Sequence, residues 1–288
     1  QAHSTEITRR LSATVSKHMS VSMERTAYKH RGKRFYHFPR RQAHLWVEGL
    51  YGKSEYDADK GFDMDNKGIA VGFDGHVSDN TRMGIAYAYT MAEGESVGRD
   101  TEVDSHTIML YGEYNPNRFY TNWLALYTRS NYEEEKKVFT ERIDAEYDVD
   151  VFAAQVMMGK KTGPFVFGDW ATGVISPELG LRYTYLNQHD YTDQAGQEVQ
   201  GGNGHVLTGI LGAQYVIGYA ISPTLAWYPE FRAAITYDFI EPDMENSVTL
   251  VNGSRYKVVT ENLDRFGIEV GARVGLDINQ KTEVAVEY

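Results

Sequence analysis

Residues 265–277 read RFGIEVGARVGLD. Taken alternately, they split into Phe266, Ile268, Val270, Ala272, Val274 and Leu276 on one side, and Gly267, Glu269, Gly271, Arg273, Gly275 and Asp277 on the other. Successive strand side chains point to opposite faces, so a period of two gives one apolar and one wet face. The same alternation opposes Phe231, Ala233, Ile235, Tyr237 and Phe239 to Glu230, Arg232, Thr236 and Asp238, and Leu179, Leu181, Tyr183 and Tyr185 to Glu178, Gly180, Arg182 and Thr184.

Working outward, the pattern predicts strands near 44–56, 67–78, 82–95, 103–115, 118–134, 145–160, 173–189, 205–219, 224–240, 257–277 and 282–288. A soluble sandwich would show the same alternation, but its strands average about five or six residues. Most of these reach the roughly 9–11 residues that a tilted strand needs to cross a bilayer. The connections alternate too. Short turns hold Asp79-Asn80, Asn115-Pro116-Asn117, Ser222-Pro223 and Asn279-Gln280, and long polar loops are expected near 57–66, 96–102, 135–144, 190–204 and 241–256. Short turns on one rim and long loops on the other mark outer-membrane barrels, whose single-chain bacterial forms have an even strand number. Eleven strands, the last of them short, therefore predict twelve, with a closing strand beyond Tyr288, since an open odd sheet would leave two bare edges. The piece 160–172 (KKTGPFVFGDWAT) is longer than a turn should be.

Ahead of the strands lies a different segment. Residues 5–27 lack Gly and Pro, and Ile7, Leu11, Val15, Met19 and Met23 recur every fourth residue, flanked by Arg9, Arg10, Lys17 and Arg25. This predicts an amphipathic helix with a narrow apolar stripe. Residues 1–42 then form a helix and basic connector, and 43–288 the barrel. The net charge of −11 conceals a division: residues 1–45 hold ten Lys or Arg against Glu6 and Glu24, and the remainder holds 19 basic and 38 acidic residues. A basic head usually points to nucleic acid or an anionic surface, yet here the acidic remainder is itself a candidate partner. Opening on Gln1, the chain is expected to be a processed piece. Its lack of cysteine excludes disulfides and thiolate metal sites. No metalloprotease, serine-hydrolase or phosphate-loop motif is present, and Lys67 sits where a calcium loop at Asp63, Asp65 and Asp74 would need a ligand, so neither catalysis nor a cofactor is expected.

The inward set is expected to include Glu48, Glu113, Glu178, Arg182, Glu230, Arg232, Glu269 and Arg273. Two readings stand: its carboxylates receive the basic helix, or these charges pair with one another across strands. Tyr51, Tyr87, Tyr89, Tyr111, Tyr114, Tyr183, Tyr185 and Tyr237 are expected in interfacial girdles.

KGIAVGFD (67–74) followed by DNTRMGIAYAY (79–89), PELGLRYTYLNQHD (177–190) and WYPEFRAAITYDF (227–239) resemble, in this order, strands of the autotransporter β-domain of type V secretion. The resemblance covers most of 43–288. It implies an all-β transmembrane antiparallel barrel of twelve strands in the Gram-negative outer membrane, with the N-terminal helix in the pore. It also implies a passenger carried in cis to the cell surface, and dealings with periplasmic chaperones, the barrel-assembly machinery and outer-membrane lipid, but not with nucleic acid. A porin-like barrel without a passenger is the alternative. Some members of the family cleave their passenger through an Asn in the pore helix; residues 1–45 contain neither Asn nor Asp, so self-cleavage of that kind is not expected.

Overall fold

The structure, a computed structural model, describes Leu11, residues 29–30 and 33–34, and most of 43–287. Residues 1–10, 12–28, 31–32, 35–42, 57–61, 97–98, 117, 139–140, 168–170, 223–224, 241–244, 251, 260–264, 279–281 and 288 lie outside the described residues.

Eleven antiparallel strands follow one another around the wall: β1 (Ala43–Tyr56), β2 (Phe62–Ser78), β3 (Thr81–Ser96), β4 (Arg99–Tyr114), β5 (Phe119–Val138), β6 (Glu141–Lys160), β7 (Ala171–Gln188), β8 (Asn203–Ser222), β9 (Leu225–Ile240), β10 (Phe266–Ile278) and β11 (Thr282–Glu287). The ring closes where β11 pairs with β1, from Thr282 opposite Leu45 to Glu287 opposite Leu50, and this one junction is parallel. The odd count produces it. In an up-and-down meander of eleven strands the first and last point the same way, so they meet in parallel, a pairing slightly weaker per residue than the antiparallel one. The expectation that an odd sheet must stay open with two bare edges is thereby corrected.

Alternation in the sequence becomes inside and outside here. Along β4 the outward file Ile108 and Leu110 is about half exposed, while Val103, Ser105, Thr107, Met109, Tyr111 and Glu113 are buried inside. Phe73, Ile85, Val156, Leu179, Leu181, Leu211, Phe231, Ile268 and Val270 continue the outward band. An exposed apolar surface of this extent has a lipid or protein partner in its working environment. Aromatic residues fringe it: Tyr114, Phe119, Tyr219 and Trp227 near the short turns, the last two stacked at 5.1 Å, and Tyr87, Tyr127, Tyr183 and Tyr237 toward the other rim. Tyr111 departs from the girdle expectation. It shares strand parity with Glu113 and is fully buried inside.

Three of the expected long loops are largely strand. Phe62–Ser78, Ser96, Arg99, Val138 and Glu141 carry the ladder to within a few residues of each turn, and β5 and β6 run 20 residues each. Asp63 and Asp65 thus lie on an ordinary strand rather than in a calcium-type loop. The puzzling 160–172 piece extends the β6–β7 hairpin: Thr162–Phe167 pairs with the start of β7 through a bulge, with Gly163 at φ 116°. The long tract expected as one strand over 257–277 divides into Arg255–Val259 and β10. The former joins Tyr191–Thr192, Glu198–Gln200 and Glu245–Thr249 in a four-stranded sheet built from the two longest connections.

Candidate functional site in the barrel lumen

Period-two placement on β7, β9, β10 and β1 brings seven charged residues of the inward set into two chains of contacts. In the first, the Tyr120 hydroxyl donates to Glu178 Oε1 at 2.7 Å, and Arg232 Nε lies 3.5 Å from Glu178 Oε2. Arg232 also approaches Glu269 Oε2 at 3.4 Å, and Arg182 donates to Glu269 Oε1 at 2.7 Å. In the second, Gln214 donates to Glu230, Arg273 lies 4.0 Å from Glu230 Oε2, and Arg273 Nε donates to both oxygens of Glu48 at 3.2 Å. That last contact spans the seam, since β11 runs between β10 and β1, where the small buried Ala285 stands opposite Glu48. All of these except Glu269 are buried. Two buried oxygens in the same region, Glu178 Oε2 and Gln214 Oε1, accept no hydrogen bond among the described residues.

Beside the short turns a separate group gathers on β1–β4. Trp46 Nε1 donates to the Tyr111 hydroxyl at 2.7 Å, which donates to Asp74 Oδ2 at 2.9 Å, and Arg82 Nε donates to Asp74 Oδ1 at 2.6 Å. Sequence reading gives no account of Trp46 or Arg82, places Tyr111 in a girdle, and weighs Asp74 only in a calcium-type loop. Their signal was parity: Trp46 shares it with Glu48, and Tyr111 with Glu113. Gly72 is required under Trp46, because a Cβ there would meet the indole at 2.3 Å.

Across from the two chains of charges lies an apolar patch. Leu11, a helical residue only 1% exposed, belongs to one cluster with Trp46, Ala70, Ala86, Ala88, Met109, Tyr111, Leu124, Leu126 and Ala153. The lumen is therefore uneven: an apolar patch surrounds Leu11 on β1–β6, with Asp74, Arg82 and Glu113 beside it toward the short turns, and the longest chains of charged contacts run over β7, β9, β10 and β1. A fully buried leucine gains roughly 1.5–3 kcal/mol by leaving water, so the apolar patch is a socket for a nonpolar side chain. The charged wall can neutralise cations or donors that approach it. Of the other expected helix residues, Ile7, Arg9, Arg10, Val15, Lys17, Met19 and Arg25 lie outside the described residues. Glu113 takes a bond from Asn115 at 3.1 Å and joins neither chain of charges.

Toward the outer mouth, Met64, Ala92, Val103, Tyr132, Val149, Val151, Leu186 and Val206 form a second apolar layer. Above it, Tyr132, Tyr147 and Tyr191 stack at 5.1 and 4.7 Å, pinning the 189–202 connection to β5 and β6. Tyr147 donates to Glu134 Oε1 at 2.7 Å, and Lys136 and Arg99 flank that carboxylate. Burial works against ionisation of Glu134, but Arg99, Lys136 and the tyrosine outweigh it and hold the carboxyl below its ordinary value.

The family model described as Autotransporter beta-domain matches residues 45–288. Outer membrane protein A of Rickettsia rickettsii is 25% identical over 214 residues, covering 67% of this chain and 9% of that protein, so the chain spans less than a tenth of this relative. The translocator domain of autotransporter NalP from Neisseria meningitidis superposes with a TM-score of 0.66 at 15% identity, over 96% of this chain and 86% of that one. The β domain of the Bordetella autotransporter BrkA gives 0.53 at 15% identity, over 83% and 99%. At such identities these two structures speak to fold alone.

Proposed function

The chain belongs to the autotransporter β-domain family, and from that premise we propose that it is the outer-membrane translocator and anchor of a longer protein, carrying its own N-terminal passenger to the cell surface. The observation that supports this best is the uneven lumen with Leu11 in its apolar socket. An amphipathic segment at 1–42, with the stripe Ile7, Leu11, Val15 and Met19 toward β2–β6, would turn Arg9, Arg10, Lys17 and Arg25 toward the charged wall. Glu178 has an oxygen without a hydrogen bond among the described residues, open to such donors. Partial exclusion of water strengthens charge pairing there relative to a surface bridge.

Two measurements test the reading. An epitope placed ahead of Gln1 should be reached by antibody on intact cells, and its retention inside would refute surface delivery. In planar bilayers, deleting residues 1–30 should raise single-channel conductance. Equal conductance of the deleted and full chains would instead favour a porin-like barrel whose N-terminal segment is not a plug. The segment lacks the Asn or Asp of a self-cleaving helix, so the passenger is expected to stay attached unless another protease releases it. Periplasmic chaperones and the barrel-assembly machinery are the partners such a route requires.

A further inference from the structure

Two outward sites on the barrel wall share one geometry. On β3 and β4, the Tyr87 hydroxyl lies 2.7 Å from His106 Nδ1, and the Tyr89 ring is centred 5.1 Å from the imidazole at 38°. On β7 and β8, the Tyr183 hydroxyl lies 2.6 Å from His205 Nδ1, and the Tyr185 ring is centred 5.0 Å away at 39°. Each histidine is exposed and stands where the outward file changes character. On β4, Glu102 and Asp104 precede His106, and Ile108 and Leu110 follow; on β8, Asn203 precedes His205, and Leu207 and Leu211 follow. With the tyrosine hydroxyl donating to Nδ1, the imidazole hydrogen falls on Nε2, and no described residue accepts it.

We propose that these two tyrosine–histidine brackets are binding sites for the phosphoryl groups of a phosphorylated glycolipid in the outer leaflet. The proposal rests on the outer-membrane reading above. An imidazole N–H at the edge of the hydrocarbon donates to the acceptors that the headgroup layer offers. An ionised phosphoryl oxygen is the strongest acceptor in a headgroup layer. Arg129 stands opposite His106 in the β4–β5 register and keeps a half-exposed guanidinium, whose fork suits phosphate. The neighbouring carboxylates are engaged: Asp104 by Tyr89, Asp148 by Arg129, and Asp150 by Tyr127 and His189. Around His205 the outward neighbours Tyr185 and Asn187 are neutral.

The test uses the 288-residue chain in phosphatidylcholine nanodiscs, with or without a diphosphorylated disaccharide glycolipid, and reads the histidine side chains by nitrogen-15 NMR. The Nε2 signals of both His106 and His205 should shift with the phosphorylated glycolipid and stay put with its dephosphorylated analogue. Equal responses to the two lipids, or none to either, overturn the proposal. Native mass spectrometry should find two retained glycolipids, with His106→Phe and His205→Phe each weakening retention of one by roughly tenfold, the loss of one charge-assisted hydrogen bond. Should either variant misfold, Tyr87→Phe with Tyr183→Phe keeps both rings and frees Nδ1. Unchanged retention in that pair also defeats the proposal. A failure of the outer-membrane reading shows itself separately, as a chain that does not enter nanodiscs at all.

Discussion

Arg273 is the residue at which the charged wall meets the seam. It is 1% exposed and holds Glu48 and Glu230, both fully buried. Removing it takes the cation away from two buried carboxylates, a change that typically costs about 3–5 kcal/mol. Arg273→Met is therefore expected to lower the heat-modification midpoint and the urea midpoint sharply, and Glu48→Gln with Glu230→Gln in the same chain should recover much of the loss. Gly72→Ala should also destabilise, by about 1–3 kcal/mol of overpacking against Trp46, and Trp46→Ala should relieve it in the same unfolding assay. The sequence made the inward side of Glu230 and Arg232, or Glu178 and Arg182, legible because residues two apart share a face. Which charge meets which was not legible, because Arg273 and Glu48 are 225 positions apart and are joined only by closure over Ala285. Tyr111 was misplaced for a subtler reason. YGEY at 111–114 holds two tyrosines of opposite parity, and only one of them can face lipid.

At the level of elements, the outer ends of β2–β6 were the hardest to read. Beyond the hydrocarbon both faces of a strand meet water, the apolar alternation fades, and charged runs such as NYEEEKK at 131–137 look like loop. The ladder nevertheless continues, and the 189–202 connection docks on it. Its anchor is Tyr191 stacked on Tyr147, which in turn bonds Glu134. A carboxyl held below its ordinary pKa of 4.5 stabilises the folded form above that pH and ceases to do so as pH falls through its lowered value. Hydrogen-exchange protection of 189–202, corrected for intrinsic rates, should thus hold from pH 7 to about 5 and decline below 4.5. Glu134→Gln should flatten that profile, and Tyr191→Ala should remove the protection at every pH. A profile unchanged in both variants would show that the connection is held by other contacts.

For the molecule as a whole, strand number, direction and the division of rims were legible, and the manner of closure was not, since nothing in a short apolar strand states which edge it joins. Closure predicts a cross-link: Val47 and Val284 are register partners across the parallel seam. Val47→Cys with Val284→Cys should form a disulfide in the folded 288-residue chain under mild oxidation, and its absence would mean that the wall does not close there. The balance of charge inside gives another expectation. Described inward carboxylates Glu48, Asp74, Glu113, Glu178, Glu230 and Glu269 outnumber Arg82, Arg182, Arg232 and Arg273. A barrel cleared of residues 1–42 should therefore select cations in reversal-potential measurements.

A bore with an oily patch facing a charged stretch is a keyway rather than a cylinder. A guest helix turned through half a revolution would set its arginines against Leu124 and Leu126 and its leucine against the Glu178–Arg232 contacts, so sliding along the axis is permitted while spinning about it is not. Whatever leaves the outer mouth would then do so at a fixed compass bearing relative to the tall β5–β6 side, and the barrel would orient its cargo as well as hold it.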